Sequence, residues 1–349
     1  MHIERIRLQG FWNKYTLDWR LDPDVNLLSG INGSGKSTLL DIVYVLLDNI
    51  QPYFADIASK FRTICIEMGG GLSLEARSSG DSINVHFYRR GTEIGFDDFH
   101  RNANLSAIST FDMAMPDEET YKRILMNRSA MRTELDFRLH EALNLYYRYV
   151  AGISKEVEKL VSQSVSSGDI SRLNNVYARK NLFINIVNEL FSSTRKEWYD
   201  EKSEICFRIQ GDDLFIMPRQ LSSGEKQLLI ILIHCLVVGG VENIVFWDEP
   251  EISLHIDWQR VLIRKARELN PKGQFIIATH SPSLIYEGWE SKVVNMEDLL
   301  QVQVTHSATM KISERQIQGL AEKVKEMNVQ YAIKANGSLI SAANVFLNK

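Results

Sequence analysis

The 349-residue sequence lacks the features that would place it outside the class of ordinary globular proteins. Its three cysteines, Cys65, Cys206 and Cys235, are far apart and form no CxxC pair, so neither a zinc site nor a disulfide framework is expected. No apolar run approaches the roughly 20 residues that span a bilayer, and the N-terminus alternates like a strand without a signal-peptide core. These absences predict a cytoplasmic protein with no membrane segment.

The sequence also lacks a strong charge of either sign. Its formal net charge is −4, which gives no overall electrostatic reason to bind nucleic acid. Nucleic-acid binding therefore stays open only as an alternative that needs a local basic groove, for which Arg89–Arg90 and Lys122–Arg123 are the candidates.

The pattern of apolar residues in the first third of the chain predicts strands around one helix. Strands are expected over Ile3–Leu8, Tyr15–Leu21 and Val25–Leu28, followed by an apolar helix from Leu39 to Leu47. Period-2 alternation between Ile64 and Arg90 predicts an antiparallel meander. We expect this meander to join the N-terminal strands in one sheet.

The rest of the chain is predicted to be α/β with a helical insertion. Apolar residues spaced by three and four from Met131 to Val161, and again from Leu173 to Leu190, predict two helices in an antiparallel hairpin. The hairpin is either packed on the core, which we favour, or an arm that projects toward a partner. Strands over Ile244–Trp247 and Phe275–Ala278, separated by a helix over 257–269, predict a parallel sheet covered on both faces.

These elements divide the chain into four parts. They are an N-terminal lobe with the antiparallel strands, a helical insertion, a C-terminal lobe and a small appendage, over residues 1–115, 116–200, 201–298 and 299–349.

The segment Gly30–Thr38, GINGSGKST, lies between the third predicted strand and the first predicted helix. This is the G-x-x-x-x-G-K-[ST] pattern of a P-loop in the context that the pattern requires. Its glycines let backbone N–H groups converge on phosphates at the positive end of a helix dipole. We expect Lys36 to reach the β- and γ-phosphates of ATP and Ser37 to bind Mg²⁺. The predicted nucleotide-binding residues of this loop are Asn32, Gly33, Ser34, Gly35, Lys36, Ser37 and Thr38.

Two further groups of polar residues stand where predicted parallel strands end, at the edge of the sheet that the P-loop shares. Asp248 and Glu249 close a buried strand, where a carboxylate is costly unless it serves a cation or a reaction. Asp248 is therefore the second predicted Mg²⁺ ligand, and Glu249 is the predicted base that polarises the attacking water. His280 follows the next strand and joins Lys36 and Glu249 as a predicted catalytic residue.

The segment Leu221–Gln227, LSSGEKQ, opens another very apolar helix. A serine and a glycine at a helix start can bind an anion, yet the chain already has one phosphate cradle. A second cradle has a use if it serves the nucleotide of another molecule. The alternative interpretation is a plain helix cap.

With this segment the sequence resembles the ABC-type ATPase superfamily, in which the signature of one subunit closes on ATP bound to its partner. The motifs NGSGKST, LSSGEKQ, WDEPE and ATHSP resemble those of the soluble, non-transporter heads of the OLD, RecF and SMC types. The stretches Ile108–Phe111 and Thr133–Asp136, the latter reading TELD, resemble the stand-alone ATPases of bacterial anti-phage systems of the PARIS-like and Septu-like kinds.

The resemblance implies the fold of an ABC-type P-loop ATPase head that dimerises around ATP. In such a dimer Ser222 and Gly224 contact the γ-phosphate across the interface, Ile252–His255 form the D-loop, and His280 is the switch histidine. The sequence departs from the family at His255, where an aspartate is usual, although Asp257 is near.

The resemblance does not identify the Q-loop residue or the residue that stacks on adenine. No glutamine stands clearly at the Q-loop position. Gln51 is too close to the P-loop in sequence, and Ser109–Thr110 offers hydroxyls instead. Trp12 or Tyr15 is a candidate for stacking on adenine, although an aromatic residue beside a sheet is more often part of the core.

The tail from Leu299 is too short for the Toprim nuclease domain of OLD-type proteins. We therefore expect a Mg²⁺-dependent ATPase that acts as a switch or scaffold in anti-phage defence, as a homodimer or higher homo-oligomer that controls a separate effector, with a nuclease as the first candidate. The alternatives are a RecF- or SMC-like DNA-repair ATPase, a transporter nucleotide-binding subunit, and a nuclease in its own right.

Overall fold

The computed structural model describes residues 2–103, 133–163, 170–199, 204–286 and 288–302. The chain divides into two compact units, residues 1–303 and 304–349, and all described residues belong to the first. No helix among these described residues is both long and apolar enough to cross a bilayer. The predicted features at Ile108–Phe111 and Lys122–Arg123 lie outside the described residues.

An antiparallel sheet of seven strands holds most of the N-terminal residues. Its strands are β1 Ile3–Phe11, β2 Tyr15–Arg20, β4 Thr63–Met68, β5 Leu72–Ser79, β6 Ser82–Arg89, β7 Thr92–Ile94 and β14 Leu300–Val302. They lie in the order β14-β2-β1-β4-β5-β6-β7. The predicted meander is confirmed, and β1 joins it to the N-terminal strands by pairing with β2 on one side and β4 on the other. β14, whose residues the sequence analysis placed in the appendage, pairs with β2.

A parallel sheet of four strands lies at the centre of the unit and confirms the predicted α/β arrangement. Its strands are β3 Val25–Ser29, β11 Asn243–Asp248, β12 Gly273–Ala278 and β13 Val293–Asn295. Their order is β11-β12-β3-β13, and every pair is parallel. The strand that precedes the P-loop is therefore enclosed by strands from the C-terminal part of the chain.

Helices and a small third sheet complete the unit. The helices are α1 Lys36–Leu47, α2 Phe54–Ala58, α3 Phe96–Ala103, α4 Glu134–Gln163, α5 Ile170–Phe191, α6 Ser223–Val238, α7 Ile256–Leu269, α8 Pro282–Ile285 and α9 Met296–Leu299. The third sheet is antiparallel, with strands β8 Lys196–Tyr199, β9 Cys206–Ile209 and β10 Phe215–Ile216. Its order is β10-β9-β8, and β9 and β10 form an antiparallel hairpin around Gly211.

The parallel sheet separates two hydrophobic cores. Alternate residues along each strand point to opposite faces, so Leu28 and Phe246 pack with α1 and the seven-stranded sheet, whereas Leu27 and Trp247 pack with α4 to α7. Both faces are covered, which explains why these strands are almost continuously apolar.

The first half of α4 packs on the second of these cores. Leu139, Ala142 and Tyr146 are buried there, and the Tyr146 ring lies 5.6 Å from the ring of Phe183 in α5, measured between centroids. Beyond Ile153 most of the described side chains of α4 are exposed. The packed arrangement of the two helices, which we favoured over a projecting arm, therefore holds for the first half of α4.

Candidate nucleotide site at the edge of the parallel sheet

Three of the predicted groups meet at the carboxyl edge of the parallel sheet. β3 leads into the P-loop and α1, β11 ends at Asp248, and β12 ends just before Thr279 and His280. β12 pairs with both β3 and β11, so the ends of these strands are adjacent. The N–H of Glu249 extends this edge by donating to the carbonyl of Ala278 at 2.8 Å.

The ammonium of Lys36 lies at the centre of the group. Its Nζ donates to the carbonyls of Gly30 and Ile31 at 3.2 Å each and to Nε2 of His280 at 2.6 Å. The same Nε2 lies 3.4 Å from Oε1 of Glu249. Because an ammonium has only donors, Nε2 accepts from Lys36 in this arrangement and cannot also donate to Glu249. His280 thus lies between the predicted phosphate-binding lysine and the predicted base.

The charge of Lys36 is balanced by its surroundings. Burial lowers the pKa of Lys36 below its usual value, and the carboxylates of Glu249, Asp248 and Glu297 oppose that shift. A cation that has lost much of its hydration interacts strongly with any anion that reaches it. The position therefore suits the binding of a phosphate.

The P-loop leaves a helix start open to a ligand. α1 has Gly35 at its N-cap, and no side chain caps the N–H groups of its first turn. Gly35 has φ +101°, and a Cβ there would lie 2.8 Å from the rings of Phe11 and Trp12, so only glycine fits. The buried hydroxyl of Ser34 has no hydrogen-bond partner among the described residues. Open N–H groups at the positive end of a helix, with an unmatched hydroxyl beside them, fit a phosphate group.

The other predicted residues of the P-loop lie around this helix start. Asn32 and Gly33 are exposed, and Ser37 and Thr38 are half-buried in the first turn of α1. Ser37 and Asp248 would supply oxygen ligands, which Mg²⁺ prefers, and a Mg²⁺ bound with phosphates needs only one or two ligands from the protein. No three His, Cys, Asp or Glu side chains of the described segments are arranged to hold a metal.

The predicted base lies in a strained part of the backbone. Glu249 has φ +48°, in the left-handed region that favours glycine. Such a conformation costs about 1–3 kcal/mol and persists where the surrounding structure holds it, which is common at functional sites. The hydrogen bond from the N–H of Glu249 to Ala278 is one of the contacts that hold it.

The signature segment, Leu221–Gln227, forms a helix cap as well as an exposed turn. Oγ of Ser222 accepts from the N–H of Glu225 at 3.3 Å, and Oε2 of Glu225 accepts from the N–H of Ser222 at 2.8 Å. This reciprocal capping box means that the alternative interpretation of the segment as a cap is part of the structure. Ser222 remains exposed while it caps α6.

Gly224 is packed against the backbone of the D-loop segment, Ile252–His255, whereas Ser222 is exposed. Gly224 is buried, and a Cβ on it would lie 2.4 Å from the carbonyl oxygen of Ser253 in that segment. The carbonyl of Ser222 also accepts from the N–H of Lys226 at 2.9 Å. The described hydrogen bonds thus join Lys36 to His280 and to carbonyls of the P-loop, and Ser222 to its own helix.

A cleft of about 320 Å³ opens beside the signature segment. Its walls come from the starts of α4 and α6 and from the D-loop segment, and the lining residues are Thr133, Glu134, Leu135, Arg138, Ser223, Gln227, Ile252 and Ser253. A buried ion pair next to it, between Lys226 Nζ and Asp136 Oδ1 at 2.7 Å, joins the TELD stretch to the signature segment.

Of the two candidates for stacking on adenine, Trp12 lies against Gly35 of the P-loop, whereas Tyr15 packs on the first core. Trp12 is 40% exposed and stacks on Phe11 with ring centroids 4.6 Å apart. His255 caps α7 and lies 3.3 Å from Asp257. Gln51 is exposed beyond α1, and Ser109–Thr110 lie outside the described residues.

Sequence reasoning missed two carboxylates at this site. Oε1 of Glu251 accepts hydrogen bonds from Thr279, His280 and Ser281, and Oε1 of Glu297 accepts from the N–H of Ile31 at 3.0 Å. The only signal for Glu251 is its place in WDEPE. For Glu297 there is no signal, because its contact depends on β13 lying beside β3.

Comparisons with known proteins show what the chain and its fold resemble. The family model described as "AAA domain, putative AbiEii toxin, Type IV TA system" matches residues 127–285. The chain is 23% identical to the Septu protein PtuA of Bacillus thuringiensis over 323 aligned positions, covering 81% of this chain and 72% of that protein. Over 76 positions it is 36% identical to the Retron Vc95 probable ATPase of Vibrio cholerae serotype O1 biovar El Tor, covering 19% of this chain and 15% of that protein.

Among solved structures, the SmcHead bound to the C-winged helix domain of ScpA is similar over 86% of this chain and 97% of that chain, with a TM-score of 0.54 and 15% identity. The chain has the fold of an ABC-type P-loop ATPase head. The predicted fold class is confirmed, and so is the resemblance to ATPases of the anti-phage defence type. The chain carries its P-loop, Glu249 and His280 at one edge of the parallel sheet of this fold.

Proposed function

We propose that this ATPase head hydrolyses ATP with Mg²⁺, dimerises head to head around the nucleotide, and controls a separate effector protein in anti-phage defence, with a nuclease as the first candidate. The observation that carries the proposal is the meeting of Lys36, Glu249 and His280 beside the open start of α1. The similarity to the Septu protein PtuA supports the defence setting.

Each residue of the cluster has a distinct task in this proposal. Mg²⁺, held by Ser37 and Asp248, would neutralise charge on the β- and γ-phosphates. Lys36 exchanges its bonds to the carbonyls of Gly30 and Ile31 for phosphate oxygens. Glu249 orients a water and accepts its proton. Once Lys36 leaves Nε2 of His280 and the imidazole changes to the tautomer with its proton on Nε2, that nitrogen can donate to the charge that develops on the γ-phosphoryl oxygens.

A second copy of the chain completes the site in this proposal. Ser222 and Gly224 of that copy would contact the γ-phosphate: Ser222 is exposed at the positive end of α6, and Gly224, although packed on Ser253, would offer its backbone N–H in the first turn of the helix. Ile31 in the P-loop is 72% exposed and Ile252 in the D-loop segment is 48% exposed. In such a dimer these two apolar side chains would be covered by the other copy.

Trp12 is the residue that we propose for stacking on the adenine ring of ATP. Its ring already lies against Gly35, and part of its surface is exposed. Tyr15 is the weaker candidate because it packs on the first core.

The decisive experiment measures ATP hydrolysis and molar mass on the full chain. We expect Lys36→Ala to lose ATP binding and Glu249→Gln to bind ATP but hydrolyse it at least about 100-fold more slowly. Light scattering should give a dimer or larger assembly for Glu249→Gln with ATP and Mg²⁺, and a smaller species without nucleotide. A Glu249→Gln protein that stays monomeric with ATP would refute the head-to-head switch.

The effector is sought by co-expression with the products of neighbouring genes. The assembled complex is purified, and its mass is compared with and without ATP. A co-purifying protein whose association or activity depends on the nucleotide supports the proposal. If every neighbour is lost on purification in both nucleotide states, control of an effector is excluded.

A DNA-linked ATPase is the second candidate, because the fold is also that of the SmcHead. It predicts binding to duplex DNA that weakens steeply with salt and is reduced by Arg89→Glu or Arg90→Glu. Binding to duplex DNA that does not change with salt, or no binding to DNA at all, would count against this candidate.

A further inference from the structure

The loop that carries His280 is held by a single buried carboxylate. Oε1 of Glu251 accepts from the Thr279 hydroxyl at 2.5 Å, from the N–H of His280 at 3.0 Å and from the N–H of Ser281 at 3.1 Å. We call Thr279–Ser281 the switch loop. All three of its residues donate to this one oxygen, and the side chain of Glu251 is largely buried.

The strength of these bonds comes from the negative charge of Glu251. Hydrogen bonds to an ionised carboxylate are about twice as strong as bonds between neutral groups, and more so away from water. The other oxygen, Oε2, is buried without a hydrogen-bond partner among the described residues. Burying a carboxylate with an unmatched oxygen costs stability, so a group of this kind is expected where its charge has a task.

A second side chain links the switch loop to the D-loop segment. Oε1 of Gln259 in α7 accepts from the Ser281 hydroxyl at 2.7 Å, and its Nε2 donates to the carbonyl of Leu254 at 3.0 Å. Glu251 lies directly before the D-loop segment, Ile252–His255, in the chain. The switch loop is therefore attached to the D-loop segment through both Glu251 and Gln259.

The position of His280 depends on this anchoring. Its Nε2 lies 2.6 Å from Lys36 and 3.4 Å from Glu249, and a displacement of about 1 Å would break either contact. We propose that Glu251 is the positioning residue of His280: it holds the switch loop so that the imidazole reaches the γ-phosphate, and with Gln259 it transmits movements of the D-loop segment to that imidazole. The inference rests on the proposed function, because it gives a support to the histidine assigned there.

The test measures steady-state ATP hydrolysis by the wild type and by four variants of the full chain. We expect Glu251→Ala to lower kcat by about 100-fold, since misplacing a reacting group by about 1 Å costs that much, while KM for ATP changes less than about 3-fold. Glu251→Gln keeps an accepting oxygen but not the charge, so its kcat should fall by only about 10-fold. The other two variants are His280→Ala and the double variant Glu251→Ala/His280→Ala.

The double variant separates positioning from general support of the fold. A residue that acts through His280 has nothing left to act on once the imidazole is gone, so we expect the double variant to match His280→Ala within about 2-fold. A further large loss in the double variant, or a Glu251→Gln protein with the kcat of the wild type, would overturn the inference. Should Glu251→Ala fail to fold, Glu251→Gln decides on the same criteria.

Asp24→Asn is the matched control. Its carboxylate accepts from the N–H of Val25 at 2.7 Å and from Lys292 at 2.9 Å, at the opposite end of the parallel sheet. We expect it to lower the melting temperature without changing kcat. Absence of hydrolysis by the wild type refutes the proposed function itself, and the inference with it, whereas an active wild type with unaffected Glu251 variants refutes the inference alone.

Discussion

At the scale of single residues, the close approach between Gly224 and Ser253 shows how tightly two motifs are packed. The first belongs to the signature segment and the second to the D-loop segment, and a Cβ on Gly224 would meet the Ser253 carbonyl oxygen at 2.4 Å. That atom belongs to the backbone and cannot rotate away as a side chain could. Glycine at this position therefore has a packing reason in addition to any contact with a nucleotide.

Gly224→Ala should destabilise the fold by about 1–3 kcal/mol, because an added methyl group forces the two backbones apart. The measurement is the free energy of unfolding by denaturant. Gly152→Ala is the control: a methyl group on Gly152, within α4, would meet no other described part of the chain within 4 Å, so this change should stabilise by about 0.5–1 kcal/mol. Equal effects of the two changes would contradict the packing argument.

The residues of the site were predictable to different degrees. Lys36, Ser37, Asp248 and Glu249 are marked by local patterns, since a phosphate loop and a carboxylate at a strand end have recognisable neighbours in sequence. Glu251 was not predicted, because its task appears only when β12 places the switch loop beside it. Local patterns specify which groups are available, and the pairing of distant strands decides which of them meet.

At the scale of elements, α6 has a capped N-terminus and a buried histidine within its apolar sequence. His234 lies within this apolar helix, 4% exposed, and neither ring nitrogen has a hydrogen-bond partner among the described residues. Burial lowers the pKa of His234 to about 4. The folded protein therefore keeps this histidine neutral at pH values where the unfolded chain protonates it.

Acid should destabilise the protein through His234. Between the unfolded pKa of about 6.5 and the folded pKa of about 4, the unfolded state binds more protons, so stability falls as the pH falls. The linkage amounts to about 2 kcal/mol between pH 7 and pH 5. His234→Leu should reduce the pH dependence of the unfolding free energy by this amount. An unaltered pH dependence in His234→Leu would disprove the assignment.

The ion pair between Asp136 of α4 and Lys226 of α6 should contribute substantially to the attachment of the two helices. Both side chains are mostly buried, and removing one partner of a buried pair leaves a charge that is poorly compensated. We expect Asp136→Ala to cost about 3 kcal/mol in chemical unfolding. For the exposed pair between Glu197 and Arg208, Glu197→Ala should cost less than about 1 kcal/mol. Similar costs for the two would show that burial is not the cause.

The long elements were predictable and several short ones were not. Period-2 alternation identified β1, β2 and the meander of β4, β5 and β6, and the spacing of three and four identified α4 and α5. β13 and β14 were missed because each has three residues, too few to show a period. Both are strands only because partners from the start of the chain, β3 and β2, lie beside them.

At the scale of the whole molecule, the proposed dimer gives a prediction about the exposed residues at the carboxyl edge of the sheet. Ile252 lies just beyond β11, and in a head-to-head dimer a lysine there would bury a charge at the interface. In the Glu249→Gln background, Ile252→Lys should keep ATP binding but stay monomeric in light scattering. Val241→Lys, at an equally exposed residue before β11 begins, should still dimerise. Dimerisation of both, or of neither, would place the interface elsewhere.

The position of β3 has a consequence for biosynthesis. This strand leaves the ribosome well before its two neighbours, β12 and β13, which are among the last described segments to be made. Until then its apolar residues have no sheet to join, and nascent chains with such exposed segments are prone to aggregate. Ribosome-bound intermediates of this protein should therefore depend on chaperones, and nucleotide binding should appear only after the codons for residues 273–295 have been read.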